Sequence, residues 1–219
     1  MKLDNKRTIL TGFAFLSICA FWQMYNSIVP LILTNTFHLN ETYSGAIMAA
    51  DNVLALFLLP LFGAISDKTH TKIGKRMPFI LFGTGLAIIL MNLLPLIDNS
   101  YAAAPTTFKT VSFVVVLGLL LVAMGTYRSP AVALMPDITP KPLRSKGNAI
   151  INLMGALGGV IYLGVAAVMY PNSKVEGLAH VNYQPLFMVV SAIMFVAIAV
   201  LFLTIKAVSY THLRAHETL

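Results

Sequence analysis

The sequence predicts an all-α membrane protein with six transmembrane helices, and three observations lead to that fold class. The chain is 58% hydrophobic and only 11% charged, whereas a water-soluble domain carries about 25% charged residues. Its apolar residues gather in six runs, each close to or above the roughly 20 residues that an α-helix needs to cross a bilayer. Strands of a membrane barrel would be about half as long and would alternate apolar with polar residues, so a helical bundle is predicted.

The six runs follow one another with short polar connections. The first run is too long for a signal-peptide core and lacks a small-residue cleavage site, so we expect it to be retained. Turn-forming residues separate the later runs, as in "DNSYAAAPTT" after the third. The predicted spans cover approximately residues 8–36, 43–65, 78–97, 108–136, 147–170 and 185–206.

Lysine and arginine collect on one side of the predicted bundle. Because cytoplasmic loops are enriched in these residues, we expect the N-terminus, the second and fourth connections and the end of the sixth span to be cytoplasmic. The cations lie in short loops rather than on one helix face, which argues against a nucleic-acid partner. The cytoplasmic set is Lys2, Lys6, Arg7, Lys68, Lys72, Lys75, Arg76, Lys141, Arg144, Lys146 and Lys206, and the opposite set is Lys109 and Lys174.

The second connection, "GAISDKTHTKIGKRMP" at residues 63–78, places an aspartate at a helix end and then four cations. A carboxylate at a helix C-terminus is disfavoured by the helix dipole. Asp67 is therefore expected to have a partner, either a cation or the start of another helix. The alternative is a solvated loop acid.

This stretch resembles the motif between the second and third helices of the major facilitator superfamily. Four extra residues before the second glycine, and the ending "KRMPFI", are similar to the glycoside–pentoside–hexuronide symporters and the sucrose–proton symporters. The stretches "WQMYNSIVPLIL" and "YRSPAVALMPDITPKPLRSKGNAIINLMGALGG" resemble the sucrose branch. The motif residues are Gly63, Asp67, Lys68, Gly74, Lys75 and Arg76.

The resemblance implies the N-terminal bundle of a twelve-helix carrier in which two bundles rock around a midplane site. Asp67 would face a helix start in the second bundle and hold the cytoplasmic side shut, within the cationic setting of its loop. Asp137 and Arg144, which flank "ITPKPL", would form another gate element, with an ordinary interfacial loop as the alternative. The glycines of "GALGG", Gly155 and Gly159, are expected to allow close helix approach.

Two ionisable residues lie inside the predicted spans, where charge is costly and marks function by default. Arg128 is predicted to bind sugar hydroxyls or to report the position of a proton. The alternative is a structural pair with Asp51 or with carbonyls freed by Pro130. The resemblance supports function, because sucrose-type carriers have an arginine at this point.

Asp51 is predicted to be a proton-coupling acid, since burial raises a carboxyl pKa and a nearby arginine lowers it. A permanent ion pair, or an acid that faces the missing bundle, are the alternatives. Melibiose-type carriers place two sodium-binding acids where Ala55 and Leu59 stand here. A proton is therefore preferred to sodium as the coupling ion.

In the first span, Cys19, Gln23, Asn26 and Pro30 recur on one helix face. Gln23 and Asn26 are candidate ligands for sugar hydroxyls, and interhelical hydrogen bonding is the alternative. Trp22 and Tyr25 are candidate ring platforms for a sugar, although aromatic residues also face lipid.

The predicted function is secondary transport of a sugar, a glycoside or disaccharide, together with a proton, in the lipid bilayer of a bacterial plasma membrane. The partner is the missing C-terminal six-helix bundle. The alternatives are a six-helix half-carrier that acts as a homodimer and a non-transporting sugar sensor. Since the spans hold no paired acids or histidines and the histidines lie singly, no enzyme, metal site or cofactor is predicted.

The last residues, "VSYTHLRAHETL", are unlike the rest of the chain. The codons that residues 208–218 permit resemble the transposon-end adapter used in sequencing libraries. A cytoplasmic tail is the alternative. We expect residues 1–207 to form the native bundle and residues 208–219 to be adapter read-through, with the natural protein continuing into six more helices.

Overall fold

The computed structural model describes the backbone of residues 5–71 and 73–217 and the side chains of residues 8–71, 73–137 and 139–203. Six of its helices are long and apolar enough to cross a membrane, which confirms the six predicted spans. A π-helical turn, Ile32–Thr36, follows the first helix, and a 3₁₀ turn, Lys141–Leu143, precedes the fifth. The helices are α1 (Asn5–Leu31), α2 (Glu41–Lys68), α3 (Met77–Ala103), α4 (Thr107–Ile138), α5 (Arg144–Met169), α6 (Asn172–Val175) and α7 (Gln184–Glu217).

Helix α7 continues along the chain through residues 208–217, the segment predicted to be adapter read-through. The side chains of that segment lie outside the described residues. The same holds for five of the cations that predict the orientation, namely Lys2, Lys6, Arg7, Lys72 and Lys206.

The helix ends follow local signals. Asn40 caps α2, because its Oδ1 accepts a hydrogen bond from the Thr42 backbone N–H at 2.6 Å. The predicted end of the third span was too early, since α3 runs to Ala103 instead of residue 97. Lys109 Nζ donates to the carbonyls of Ser100 and Ala104 at 2.7 and 2.8 Å, which satisfies the last turn. Asp98 is therefore a carboxylate inside α3 rather than in the connection that follows it.

The core forms where α1 packs against α5 and α7 and where α3 packs against α4 and α7. Close helix approach depends on glycine: a Cβ at Gly83 would lie 2.7 Å from the Tyr127 nitrogen, and one at Gly158 would collide with the Leu16 carbonyl. Gly155 packs on α1 as predicted, but Gly159 faces open space. In "GALGG", Gly158 rather than Gly159 allows the closest approach.

Helix α2 lies at the edge of the bundle and packs chiefly on α4. Only Ser44 and Ser66 are buried among its residues. Its apolar side chains, such as Leu56 and Phe57, are exposed. This placement leaves a groove between α1, α2 and α4, into which polar residues of all three helices can reach.

Candidate functional site

A gap of about 20 Å³ lies in the groove between α1, α2 and α4. Its polar lining comes from Trp22, Asp51 and Arg128, one residue from each helix, and apolar residues complete the wall. The Arg128 guanidinium carbon lies 5.5 Å from the centre of the Trp22 ring. This is a cation–π contact, which orients the arginine without satisfying its N–H donors.

Polar atoms around this gap lack partners. Trp22 Nε1, Tyr25 Oη and Asp51 Oδ1 are buried and have no hydrogen-bond partner among the described residues. Arg128 has no hydrogen bond or ion pair within the same part of the chain. We call Trp22, Tyr25, Asp51 and Arg128 the groove cluster. Because buried polar groups are normally paired, the groove cluster has the character of a site for a polar ligand or for water.

The ion pair between Asp51 and Arg128, which was the structural alternative for both residues, is not formed among the described residues. Both residues line the same gap, but the ion pairs of the described residues do not include one between them. Asp51 therefore faces the groove with an acceptor oxygen free.

The face of α1 that carries Gln23 and Asn26 is less buried than the rest of that helix. Gln23 is half-buried and Asn26 is exposed, and their side-chain amides make no hydrogen bond to another described residue. Tyr25 requires a correction. It is 1% exposed and its ring stacks on Phe21 with centroids 6.1 Å apart, so its ring does not offer an open face to a sugar. Trp22 is half-buried, and its side chain lines the gap.

A second group of polar residues ties together the ends of α2, α3 and α4. Arg76 is its centre: Nη2 lies 2.6 Å from Asp67 Oδ1, and Nε lies 3.0 Å from Asp137 Oδ2. Lys75 Nζ lies 3.5 Å from Asp67 and 3.4 Å from Asp137. We call Asp67, Lys75, Arg76 and Asp137 the basic-end cluster. The cation expected beside Asp67 is thus Arg76 of the same bundle.

The loop folds back to Asp67 because of Gly74. This residue has φ of +96°, a conformation that side-chain-bearing residues rarely adopt. Thr71 Oγ1 donates to the Gly74 carbonyl at 2.6 Å, which closes the turn. Lys75 and Arg76 follow directly and are thereby returned to the end of α2.

Serine hydroxyl groups form hydrogen bonds to Arg76 and between α2 and α4. Arg76 Nη1 donates to Ser66 Oγ at 2.6 Å, which leaves the Arg76 side chain only 7% exposed. Ser129 Oγ of α4 donates to the Leu59 carbonyl of α2 at 2.6 Å. A Cβ at Gly63 would lie 3.2 Å from that same serine oxygen. The motif glycine therefore allows α2 to approach α4 closely.

The two remaining motif cations lie outside the cluster. Lys68 is exposed and has no ion pair within the described residues. Arg144 Nη2 donates to the Pro136 carbonyl at 3.0 Å, and its Nε to the Thr139 carbonyl at 3.4 Å. Arg144 thus satisfies carbonyls at the end of α4, where a cation also complements the helix dipole.

Two residues with structural importance were not predicted from the sequence. Tyr127, next to Arg128, is fully buried; its Oη lies 2.6 Å from Ser17 Oγ and donates to the Ala14 carbonyl at 2.9 Å. This contact fixes α4 against α1. In the sequence, the sign of such a contact was a tyrosine in a predicted span that has no polar partner one turn away on its own helix. Asp98 was missed because "DNS" is a turn sequence that here continues a helix.

Comparison with known proteins identifies the family. Residues 11–217 match the model of the Major Facilitator Superfamily. The chain belongs to the major facilitator superfamily. Membership indicates a transporter rather than an enzyme, and it confirms the resemblance carried by the two motifs.

Several relatives of this superfamily member are plant sucrose transporters. The sucrose transport protein SUC3 of Arabidopsis thaliana is 28% identical over 160 residues, which cover 67% of this chain and 26% of that protein. The sucrose transport protein SUT3 of Oryza sativa subsp. japonica is 31% identical over 123 residues, 50% of this chain and 24% of that protein. The alpha-ketoglutarate permease of Escherichia coli (strain K12) is 26% identical over 180 residues, 80% of this chain and 37% of that protein. The matched stretches thus span about a quarter to a third of these relatives.

Proposed function

We propose that the chain is the N-terminal bundle of a proton-coupled sugar symporter that works by alternating access. The observation that carries the proposal is the groove cluster, in which Arg128 lies over Trp22 with its donors unpaired. A sugar offers hydroxyl groups that accept from a guanidinium or an indole N–H and donate to a carboxylate. It also offers an apolar ring face that packs on an aromatic ring. The sucrose transport proteins among the relatives support this class of substrate.

Each residue of the groove has a role in the proposal. Arg128 and Trp22 bind the sugar, and Gln23 and Asn26 extend the site along the open side of α1. Tyr25 contributes its hydroxyl rather than its ring. Such sites need few polar groups, provided that they are well placed among apolar and aromatic walls.

Asp51 is the proposed coupling acid. It lies in a span, one of its oxygens is unpaired, and it lines the same gap as Arg128. A charged carboxylate is costly in the membrane interior, and a bound proton removes that charge. Ala55 and Leu59 line the gap as well, where melibiose-type carriers have sodium-binding acids. The lining therefore favours a proton over sodium.

The basic-end cluster is the proposed gate on the cytoplasmic side of a bacterial plasma membrane, with the N-terminus on that side. Arg76 holds Asp67 and Asp137 together, so the three helix ends move as one body against a second six-helix bundle. That bundle is proposed to follow residue 207 in the natural gene, with residues 208–219 not native. Gly63 and Gly74 shape this surface, Lys68 is its exposed charge, and Arg144 fixes the end of α4.

The test is uptake by the full-length carrier in proteoliposomes with an imposed proton gradient. Arg128→Ala is expected to abolish uptake of sucrose or a related glycoside, and Arg128→Lys to leave a small remainder, because lysine lacks the planar fork. Lys174→Ala, at an exposed residue of α6, is the matched control and should transport normally. Normal uptake by Arg128→Ala, with correct insertion, would refute the role of Arg128.

A second candidate substrate class is a small organic acid. The similarity to the alpha-ketoglutarate permease covers more of this chain than the similarity to the sucrose proteins. An arginine with free donors also binds a carboxylate in bidentate fashion. Uptake of labelled sucrose and of labelled 2-oxoglutarate by the same vesicles separates the two candidates. Transport of the acid alone would replace the sugar in the proposal.

A further inference from the structure

A buried charge lies at the end of the bundle opposite the basic-end cluster. Asp98, near the end of α3, is fully buried, and neither of its carboxylate oxygens has a well-aligned hydrogen-bond donor among the described residues. An ionisable residue inside a span is costly and marks a function by default. The proposed transport cycle does not use Asp98, so this buried carboxylate calls for another role.

His180, in the connection between α6 and α7, faces this carboxylate. Its Nε2 lies 3.8 Å from Asp98 Oδ2 and 2.9 Å from Asn99 Oδ1. Its Nδ1 lies 3.4 Å from Thr36 Oγ1 in the π-turn after α1. Three separate parts of the fold therefore meet at one imidazole.

We propose that Asp98 and His180 form a proton-binding latch that fastens the connection between α6 and α7 to the ends of α1 and α3. With the proton bound, both ring nitrogens donate, so His180 holds Asn99 and Thr36 together and its charge compensates Asp98. Without the proton, one donor is lost and Asp98 is left as a buried charge without a cation. The latch is therefore closed at low pH and opens as the pH rises.

The other groups around the pair do not change charge near neutral pH. Tyr183 lies close enough to feel the Asp98 charge; burial, and then that charge, raise the pKa of Tyr183, so its hydroxyl stays neutral. Lys109 is held by the carbonyls of Ser100 and Ala104.

The connection has a fixed part that makes opening measurable. Asn182 accepts from Asn99 Nδ2 at 2.9 Å through its side chain, and from Tyr170 Oη at 2.8 Å through its carbonyl. Leu178, by contrast, is 57% exposed. A reporter at residue 178 therefore senses movement of the connection, while these hydrogen bonds keep its C-terminal end in place.

The test measures maleimide labelling of Leu178→Cys in the full-length protein in detergent micelles, with Cys19→Ala to remove the native thiol. Thr106→Cys, exposed on the neighbouring connection, is the matched control, and the ratio of the two rates cancels the pH dependence of the reaction. We expect the ratio to rise about fivefold between about pH 5 and pH 8, since a histidine changes charge in this range.

Two variants decide whether the pair is responsible. His180→Gln keeps a donor for Asn99 without titrating, and Asp98→Asn removes the buried charge; each should abolish the rise. A flat ratio in the parent protein, or an undiminished rise in His180→Gln, would overturn the latch. If Asp98→Asn does not fold, His180→Gln alone is decisive. Sugar uptake is not the readout, so failure here would leave the proposed transport function untouched.

Discussion

The basic-end cluster and the groove cluster are each built around one arginine, but the two arginines differ in how many acceptors surround them. Arg76 is enclosed by acceptors: Ser66, Asp67 and Asp137 all lie within 3.0 Å of its nitrogens. Arg128 touches the ring of Trp22 at 5.5 Å and has no acceptor among the described residues. Both side chains keep their charge, since arginine is not deprotonated in proteins.

The difference separates a charge that holds the fold together from one that is available to a ligand. A guanidinium that is paired at all three nitrogens, as in Arg76, resists substitution and movement, because its removal leaves two carboxylates with only Lys75 between them. A guanidinium with free donors contributes little to the fold but binds an oxygen-rich ligand. Substitutions that distinguish paired from unpaired groups test this comparison directly.

The largest effect is expected from Arg76→Gln. The substitution removes the more buried of the two cations between Asp67 and Asp137 and leaves only Lys75 there. It should lower the free energy of unfolding by about 2 kcal/mol, less than for a fully buried pair because solvent screens the half-exposed carboxylates. Unfolding in mixed detergent micelles measures the change. Lys68→Gln, at an exposed residue of the same motif, should change stability by less than about 0.5 kcal/mol. Equal effects of the two would mean that the cluster does not hold the helix ends.

The next effect concerns the turn that delivers Arg76. Gly74→Ala forces a Cβ into a left-handed conformation and should cost about 1–2 kcal/mol. Gly85→Ala is the control: this residue lies within α3 with open space around it, so alanine should stabilise the helix by up to about 1 kcal/mol. The same unfolding titration compares them. Opposite signs for two identical substitutions are the expected result, and a neutral Gly74→Ala would show that the loop reaches Asp67 without this turn.

Much of the fold is predictable from the sequence because the membrane imposes one strong rule. Unpaired backbone groups are too costly in lipid, so each long apolar run must be a helix. The ends are less certain, since turn residues are tolerated wherever another group satisfies the last carbonyls. Lys109 does this for α3, which is why the helix continues past Asp98.

The candidate site was predictable as a set of residues but not as an arrangement. A charge in a span identifies Asp51 and Arg128 without any knowledge of their neighbours. Helical spacing placed Gln23 and Asn26 on one face, yet it could not show that the Tyr25 ring lies in the core while the Trp22 ring lies in the groove. That outcome depends on how α1 rotates against α4, which the contact of Tyr127 with Ser17 and Ala14 fixes.

A pair of tyrosines sharpens the comparison further. Tyr127→Phe removes the buried hydroxyl that bonds to α1 and should lower the free energy of unfolding by about 1 kcal/mol. Tyr25→Phe removes a buried hydroxyl without a described partner, so stability should stay level or rise slightly. Transport should respond in Tyr25→Phe if its hydroxyl belongs to the site. A larger loss of stability in Tyr25→Phe than in Tyr127→Phe would reverse the assignment of paired and unpaired groups.

The smallest change in stability is expected where the change in transport is largest. Arg128→Gln loses a cation–π contact worth about 0.5–1 kcal/mol, but it also removes an unpaired charge from the membrane interior, so the two effects nearly cancel. The free energy of unfolding should therefore move by less than about 0.5 kcal/mol while uptake is lost. A destabilisation as large as that of Arg76→Gln would mean that Arg128 has a structural partner, and the contrast between the two arginines would disappear. Level stability with lost uptake is the signature of a charge whose acceptor is the substrate.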